Sequence, residues 1–262
     1  MNDAPVLVLA AGGTGGHMFP AQAVAETMLS QGWQVILSTD TRGSHYSAGF
    51  SDEVIVEVVS SGTFARSGLI NKIFVPFHIL KGIFAAFRGM RRLRPNVVVG
   101  FGGYPAIPAM GAALTLGIPC MLHEQNGVLG KVNGLFASRA DKIISGTRPT
   151  GFPKNLKVHY VGNPVRQAVL RKYGSCYIQP GDYPMDLLVI GGSQGAKILS
   201  DIIPKAVALL SEPIRQNLRV SQQARAEDCK RVSEAYVEIG VRADIQSFFH
   251  DIADRINRAQ LV

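Results

Sequence analysis

A glycine-rich hexapeptide, Gly-Gly-Thr-Gly-Gly-His at residues 12–17, holds the residues best suited to chemistry in this sequence. Its four glycines let backbone N–H groups face a ligand, and a helix that begins behind them adds partial positive charge. His17 ends the hexapeptide with a group that titrates near neutral pH. The pattern predicts a phosphate or diphosphate site with a candidate general base. The alternatives are a tight structural turn and a histidine that caps the helix.

The segments on either side of the hexapeptide predict that it joins a strand to a helix. Residues 6–10 form an uninterrupted apolar run, as expected for a strand that is buried on both faces. Apolar residues then recur at helical spacing over residues 21–29, and Gly32 follows as a C-terminal cap.

Two better-known phosphate-binding motifs are absent from the sequence. The dinucleotide fingerprint fails because a start at Gly13 leads to Met18 where the third glycine is needed. The Gly-Lys-Ser/Thr of a P-loop does not occur. Asp40, at the end of the second predicted strand, is the one feature that favours nicotinamide binding. The loop predicted over residues 40–53 follows it.

Composition bounds the class of protein. With 262 residues, 47% of them apolar and 18% charged, the chain is long enough for two globular domains. A net charge of +8 and a pI near 9.6 indicate an anionic partner, which could be nucleic acid, a membrane surface or a phosphorylated substrate. Three widely spaced cysteines argue against a disulfide framework and a zinc site and fit a reducing cytosol. No secretory signal is expected at the amino terminus.

Residues 69–94 combine apolar and basic side chains. Polar residues interrupt the apolar run, so it lacks the roughly 20 apolar residues that a membrane-crossing helix needs. Apolar surface beside arginines suits an anionic membrane surface, whereas a buried helix with a solvated basic end would have the same composition. The candidate membrane residues are Ile73, Phe74, Phe77, Arg88, Arg91, Arg92 and Arg94.

Two later predicted strands are followed by candidate ligand-binding residues, and the polar residues after the second of these strands lie where open α/β sheets bind ligands. Gly103 and Tyr104 lie in a second glycine turn, and residues 123–126 read His-Glu-Gln-Asn. Glu124 is a rival to His17 as the general base, and a structural carboxylate is the alternative for it.

The second half of the chain begins as the first does. Residues 174–184 predict a domain connection, and an apolar strand from 185 leads into a third glycine turn at 191–196. A helix follows, in which Pro204 predicts a break or a restart. The fold class expected is therefore α/β, with two Rossmann-like domains facing across a cleft. The second is expected to be incomplete, because a strand begins at residues 260–262.

Five motifs in this order resemble one family, the lipid-linked N-acetylglucosaminyltransferases of bacterial peptidoglycan synthesis, MurG. They are GGTGGH (12–17), RPNVVVGFGGYPA (94–106), HEQN (123–126), GNPVR (162–166) and GGSQGA (191–196). The resemblance implies a GT-B fold of two Rossmann-like domains with parallel sheets. The domains expected are an acceptor and membrane-binding domain (1–166), a connection (167–184) and the first part of a UDP-sugar-binding domain (185–262). A chain of this family is expected to continue beyond Val262.

The resemblance also implies the reaction. N-acetylglucosamine moves from UDP-N-acetylglucosamine to the 4-hydroxyl of the muramyl sugar of undecaprenyl-diphosphate-linked lipid I, with inversion, and gives lipid II. No metal and no cofactor are implied. The residues implied are His17 or Glu124 for catalysis; Thr14, Gly15, Gly16, Asn126, Arg166, Ser193 and Phe249 for UDP-N-acetylglucosamine; and Gly13, His17, Gly103 and Tyr104 for the acceptor diphosphate.

The partners expected are UDP-N-acetylglucosamine, lipid I and an anionic membrane surface, without nucleic acid. The resemblance implies a peripheral protein at the cytoplasmic face of the bacterial plasma membrane, working with the cell-wall and division machinery. Two alternatives stay open at this point. One is an NAD(P)-dependent oxidoreductase, and the other is a non-catalytic membrane-associated fragment.

Overall fold

A computed structural model describes residues 4–59, 69–192 and 195–262, with the side chains of residues 45 and 69–78 outside that description. The chain forms two compact units, residues 1–167 and 168–262. The boundaries of the connection between the domains, 167 and 184, stay a prediction. A short helix, α6 (Gln167–Leu170), lies at the start of this segment.

The first unit contains a seven-stranded sheet whose pairings are all parallel, in the order β3-β2-β1-β4-β5-β6-β7. Its strands are β1 (Val6–Ala11), β2 (Gln34–Thr39), β3 (Ile55–Val58), β4 (Val97–Gly102), β5 (Cys120–Glu124), β6 (Lys142–Ser145) and β7 (Val158–Tyr160). Its helices are α1 (Gly15–Ser30), α2 (Ser44–Ser47), α3 (Leu69–Leu93), α4 (Ala106–Leu116) and α5 (Lys131–Phe136).

Strand β1 lies in the interior of this sheet, beside the central strand β4. It pairs with β2 on one side and with β4 on the other, with Leu7 opposite both Val35 and Val97. The chain therefore runs outward from β1 in both directions, and this reversal opens a crevice at the carboxyl ends of β1 and β4. That crevice is where the first two glycine turns lie.

Both faces of the sheet in the first unit are covered by buried apolar side chains, as the apolar run of β1 predicts. All six residues of β1 are buried. Val8 packs with Met110 of α4 on one face of the sheet, and Leu9 packs with Met18 of α1 on the other. Burial on both faces confirms the strand, and it holds the start of α1 firmly against the sheet.

The second unit contains a three-stranded parallel sheet in the order β10-β9-β8. Leu261 forms an isolated parallel bridge with Leu187 on the other side of β8. The strands are β8 (Met185–Val189), β9 (Leu218–Gln223) and β10 (Arg242–Gln246), and the helices are α7 (Lys197–Ala208), α8 (Glu212–Gln216), α9 (Cys229–Glu238) and α10 (Ile252–Arg258).

Two local predictions are wrong. Pro204 does not break the helix that follows the third glycine turn, because α7 continues through it to Ala208. The segment 40–53 is not all loop, since α2 forms one turn of helix there. Asp40 starts that turn: its backbone oxygen accepts a hydrogen bond from Ser44, and its carboxylate accepts one from Gly43. Gly32 takes φ +81° directly after α1, as a C-terminal cap requires.

Candidate functional site

Two glycine turns meet at the carboxyl ends of β1 and β4. Gly103 has φ +77°, and a Cβ atom there would lie 2.8 Å from the carbonyl oxygen of Gly12. A side chain at position 103 would therefore clash with the first turn, so the close approach depends on glycine. Gly13 belongs to the first turn and half-buried Tyr104 to the second. The structure thus brings the residues predicted for the acceptor diphosphate together in one crevice.

The imidazole of His17 lies between these turns. A Cβ atom on Gly102 would lie 3.2 Å from Nε2. Nδ1 lies 3.2 Å from the carbonyl oxygen of Gly12 and 3.4 Å from Oγ1 of Thr14. Because a carbonyl oxygen can only accept, Nδ1 is the donor, and the neutral ring carries its lone pair on Nε2. Nε2 is therefore the atom that can take up a proton.

The surroundings of His17 suit a base. Burial lowers its pKa below the ordinary value of 6.5, while the hydrogen bond to Gly12 and the negative charge of Glu124 act in the opposite direction. A histidine with a lowered pKa is neutral at pH 7, which is the form that accepts a proton.

Glu124 is 2% exposed, and hydrogen bonds occupy both of its carboxylate oxygens. Oε1 accepts from the backbone nitrogen and from Nδ2 of Asn126, at 3.2 and 3.1 Å. Oε2 accepts from the backbone nitrogen of Gly130 and from Nδ2 of Asn133, both at 2.9 Å. Four donors thus fix the carboxylate, whose charge favours the protonated form of His17. Of the two rival bases, Glu124 is therefore the fixed negative charge, and His17 is the group with a nitrogen that can take up a proton.

Asn133 of α5 is a site residue that the sequence reasoning missed. It is 2% exposed, and Nδ2 also donates to the backbone oxygen of His123 at 3.2 Å. Its Oδ1 is buried and has no hydrogen-bond partner within the part of the chain that the structure describes. The signal in the sequence is an asparagine between apolar residues, three positions after Gly130.

Comparison with known proteins decides the family. The models described as the N-terminal and C-terminal domains of glycosyltransferase family 28 match residues 7–145 and 186–262. The UDP-N-acetylglucosamine--N-acetylmuramyl-(pentapeptide) pyrophosphoryl-undecaprenol N-acetylglucosamine transferase of Rhizobium meliloti is 43% identical over 99% of this chain and 70% of its own length. The protein of the same name from Caulobacter vibrioides is 43% identical over 97% of this chain and 71% of its own length. The crystal structure of Acinetobacter baumannii MurG matches with a TM-score of 0.66 and 30% identity, over 98% of this chain and 71% of its own.

The chain belongs to the MurG family. This confirms the resemblance carried by the five motifs, and it confirms the fold class, because both units are Rossmann-like and parallel as in the GT-B class. The membership also decides against the oxidoreductase alternative.

Arg166, the last residue of the MurG-family motif GNPVR, packs against helix α1. The guanidinium carbon of Arg166 lies 4.1 Å from the ring centroid of Phe19, two residues beyond His17. Burial lowers the pKa of Arg166, against the opposing charge of Glu26. The backbone nitrogen of Gln167 donates to Oε2 of Glu26 at 2.8 Å. Arg166 therefore brings a positive charge to the first turns of α1.

The other predicted donor residues of the first unit lie around the same helix end and the loop after β5. The backbone oxygen of Thr14 accepts hydrogen bonds from the nitrogens of His17 and Met18, both at 3.1 Å. Gly15 is buried and Gly16 is exposed in the first turn of α1. Exposed Asn126 follows β5, where its side chain is engaged by Glu124.

Arg42, which pairs with Asp40, is a second residue that the sequence analysis did not identify. Oδ2 of Asp40 accepts from Nε of Arg42 at 3.2 Å, and Oδ1 accepts from the nitrogen of Gly43 at 2.8 Å. A Cβ atom on Gly13 would lie 3.7 Å from Nη2 of Arg42. Asp40, which suggested nicotinamide binding, is thus 5% exposed and holds an arginine beside the first glycine turn.

In the second unit, the third glycine turn follows β8. A Cβ atom on Gly195 would lie 3.0 Å from the nitrogen of Arg225, so the turn rests on the segment after β9. Ser193 lies outside the described residues. Phe249 follows β10 and is 3% exposed, with the guanidinium carbon of Arg255 4.0 Å from its ring centroid.

Helix α3 has a buried face and an exposed face. Ala86 and Met90 are buried in the core, whereas Leu80 and Phe84 are 62% and 61% exposed. The guanidinium carbon of Arg88 lies 5.9 Å from the ring centroid of Phe84. Within the described ranges, no helix is both long enough and apolar enough to span a membrane. Arg91, Arg92 and Arg94 are exposed at its end, and the side chains of Ile73, Phe74 and Phe77 fall outside the description.

Proposed function

We propose that this protein transfers N-acetylglucosamine from UDP-N-acetylglucosamine to the N-acetylmuramyl-(pentapeptide) pyrophosphoryl-undecaprenol acceptor, lipid I, and so makes lipid II. The observation that carries the proposal is 43% identity, over 99% of the chain, to a transferase of that name. The crevice of the first unit supports it, because its glycine turns, a helix N-terminus and a neutral histidine suit a diphosphate-linked substrate.

The chemistry proposed is a single displacement. Nε2 of His17 takes the proton from the 4-hydroxyl of the muramyl sugar as that oxygen attacks the anomeric carbon of N-acetylglucosamine. The bond from this carbon to the UDP oxygen breaks, the configuration inverts and UDP leaves. The negative charge of Glu124 stabilises the imidazolium that forms, and His17 then loses its proton to solvent.

The acceptor diphosphate is proposed to lie against the turns of Gly13 and Gly103, beside Tyr104. Backbone N–H groups at the start of α1 and the guanidinium of Arg42, which Asp40 holds over Gly13, favour negative charge there. The glycine turn after β8, in the second unit, is proposed to serve the diphosphate of the donor. Arg166, in the first unit, is proposed to favour donor binding through its fixed positive charge.

A transfer assay tests this function. Labelled UDP-N-acetylglucosamine and a short-chain, water-soluble lipid I analogue should give labelled disaccharide product, with one UDP released for each transfer. The same acceptor lacking its 4-hydroxyl should give none. Release of UDP without transfer in the presence of a competent acceptor, or turnover of NAD(P)H in place of transfer, would overturn the proposal.

We also propose that α3 docks the first unit on the cytoplasmic face of the plasma membrane. Leu80, Phe84, Arg88 and Arg91 recur at helical spacing, so apolar and basic side chains share one face. Apolar groups can enter the interface while the arginines meet anionic lipid, and the undecaprenyl tail of the acceptor lies in that bilayer. Such a location would place the protein with the cell-wall and division machinery that uses its product and sets cell shape.

A further inference from the structure

One guanidinium in the second unit joins four separate pieces of chain. The side chain of Arg255, on α10, is only 12% exposed. Its Nη1 donates to Oδ2 of Asp244 on β10 and to Oγ of Ser221 on β9, both at 2.8 Å. Its Nε donates to Oδ1 of Asp251 at 2.8 Å, and its carbon lies 4.0 Å from the ring centroid of Phe249.

Two of these contacts, to Phe249 and Asp251, reach residues 247–251, the loop that connects β10 to α10, and the other two anchor the guanidinium to β9 and β10. The ring of Phe249 is buried, so one face of it packs against a cation that water reaches poorly, where such a contact is strongest. The hydrogen bond from Arg255 also lowers the pKa of Asp251, which keeps this carboxylate ionised. On the other side of the loop, Phe248 and His250 pack edge to face at 4.8 Å.

The loop lies at the edge of the sheet where a Rossmann-like unit binds its nucleotide. It follows the carboxyl end of β10, and its Ser247 oxygen accepts from Nε2 of Gln223 at the end of β9. The segment after β9 in turn supports the glycine turn at Gly195. The loop is therefore linked through the end of β9 to the turn at Gly195.

We propose that Arg255 is a positioning residue for the donor nucleotide, acting through Phe249 and Asp251 to fix the loop 247–251. The inference rests on the proposed function, because that function supplies a UDP-sugar as the ligand of the second unit. This role needs the planar guanidinium of arginine, because one group makes three hydrogen bonds and a ring contact. The ammonium of a lysine could make only part of these contacts.

Kinetics of single variants tests this role. Arg255→Gln should raise both the KM for UDP-N-acetylglucosamine and the Kd for UDP by about tenfold, because small displacements of binding groups are costly. The KM for the acceptor should stay within about twofold, since the loop belongs to the other unit. Arg255→Lys should fall between, and Phe249→Leu, which removes only the ring contact, should have a smaller effect than Arg255→Gln.

Arg242→Gln is the matched control, because it removes the same charge from an exposed position at the amino end of β10, in the same unit. It should leave both donor constants unchanged. Melting temperature, followed for each variant, identifies any that do not fold, and Arg255→Lys then carries the test. The opposite outcome is that Arg255→Lys and Arg255→Gln keep a donor KM and a UDP Kd within twofold of the parent values and lower only the melting temperature. Arg255 would then contribute to stability alone, and the positioning role would be wrong.

The same measurements separate this inference from the proposed function. A parent protein that binds UDP in an Arg255-dependent manner, yet transfers no N-acetylglucosamine to the acceptor, would contradict the proposed reaction and support the positioning role. A parent that transfers normally while its Arg255 variants keep the parental donor constants would contradict the positioning role alone.

Discussion

The Nδ1 atom of His17 lies 3.2 Å from the carbonyl oxygen of Gly12, within the same glycine turn. This contact decides which nitrogen of the imidazole carries the proton, because the carbonyl can only accept. The base nitrogen Nε2 is consequently directed toward the second turn, at Gly102, and away from its own backbone. The turn that is proposed to receive a diphosphate thus also orients the base.

Replacement of His17 tests the base directly. His17→Ala should lower kcat by about 10²–10⁴-fold, the usual contribution of a general base, with a much smaller effect on the KM for the donor. The transfer assay with a soluble acceptor measures both constants. A kcat near that of the parent would leave His17 as a structural cap of α1.

The pH dependence of the reaction follows from the lowered pKa of His17. The neutral imidazole is the active form, so kcat/KM should fall with decreasing pH only below pH 6.5. In Glu124→Gln the negative charge that raises this pKa is lost, so the acidic limb should move to still lower pH. A pH–rate profile of the parent and the variant checks the sign. An acidic limb that moves upward in Glu124→Gln would contradict the coupling.

Asn133 should contribute to the free energy of unfolding of the protein. Asn133→Ala removes one of the four hydrogen bonds to the buried carboxylate of Glu124, and a hydrogen bond to a charged group contributes about 1.5–3 kcal/mol. Denaturant unfolding of the variant measures this loss. The exposed Asn155→Ala serves as its control and should change the free energy of unfolding by less than ~0.5 kcal/mol. Equal effects of the two changes would show that the carboxylate does not depend on Asn133.

Arg166 should act on the donor through fixed charge. Arg166→Ala should raise the KM for UDP-N-acetylglucosamine, and Arg166→Lys should recover only part of the loss, because lysine lacks the planar group that packs on Phe19. Ser193→Ala is expected to weaken donor handling as well. The exposed Lys154→Ala, in the same unit as Arg166, is the control for the loss of charge. Donor constants that match the parent in both the Arg166 and Ser193 variants would remove these residues from the site.

The basic end of α3 should set the membrane affinity. Each arginine near an anionic surface contributes ~1 kcal/mol at most, and salt screens it. Conversion of Arg88, Arg91, Arg92 and Arg94 to glutamine should therefore weaken binding to anionic vesicles strongly and to neutral vesicles little. Turnover on a soluble acceptor should stay close to that of the parent. Co-sedimentation with vesicles across a salt series measures the affinity.

A charge-matched variant gives that experiment its control. It converts four exposed basic residues elsewhere in the first unit to glutamine: Arg139, Lys142, Arg148 and Lys154. If net charge alone governed binding, both quadruple variants would lose the same affinity. Unchanged binding of the α3 variant would instead show that this helix end is an ordinary solvated surface.

The sequence by itself determined the parts of this protein that local chemistry controls. The buried strand β1, the turn that begins α1 and the cap at Gly32 were all predictable, because apolar runs, glycines and helical spacing act over a few residues. The order of five motifs was also enough to predict the family and the fold class, which the comparisons confirm.

Local rules failed where the surroundings outweighed them. Pro204 was expected to mark a break or a restart of the helix, yet α7 runs through it, since Pro204 is buried and the packing of the helix outweighs the hydrogen bond that proline cannot donate. Asp40 was the one feature that favoured nicotinamide binding, yet its carboxylate accepts hydrogen bonds from Gly43 and Arg42, contacts that a linear pattern does not contain.

Only the tertiary structure decided how the candidate site is assembled. The position of β4 beside β1 brings Gly103 against Gly12, although the two glycines are far apart in the chain. That pairing places Nε2 of His17 at Gly102, and the pairing of β5 with β4 puts the charge of Glu124 within reach of the imidazole. Spacing along a sequence cannot specify such contacts, because strand order and the direction of buried side chains are set by packing across the whole sheet.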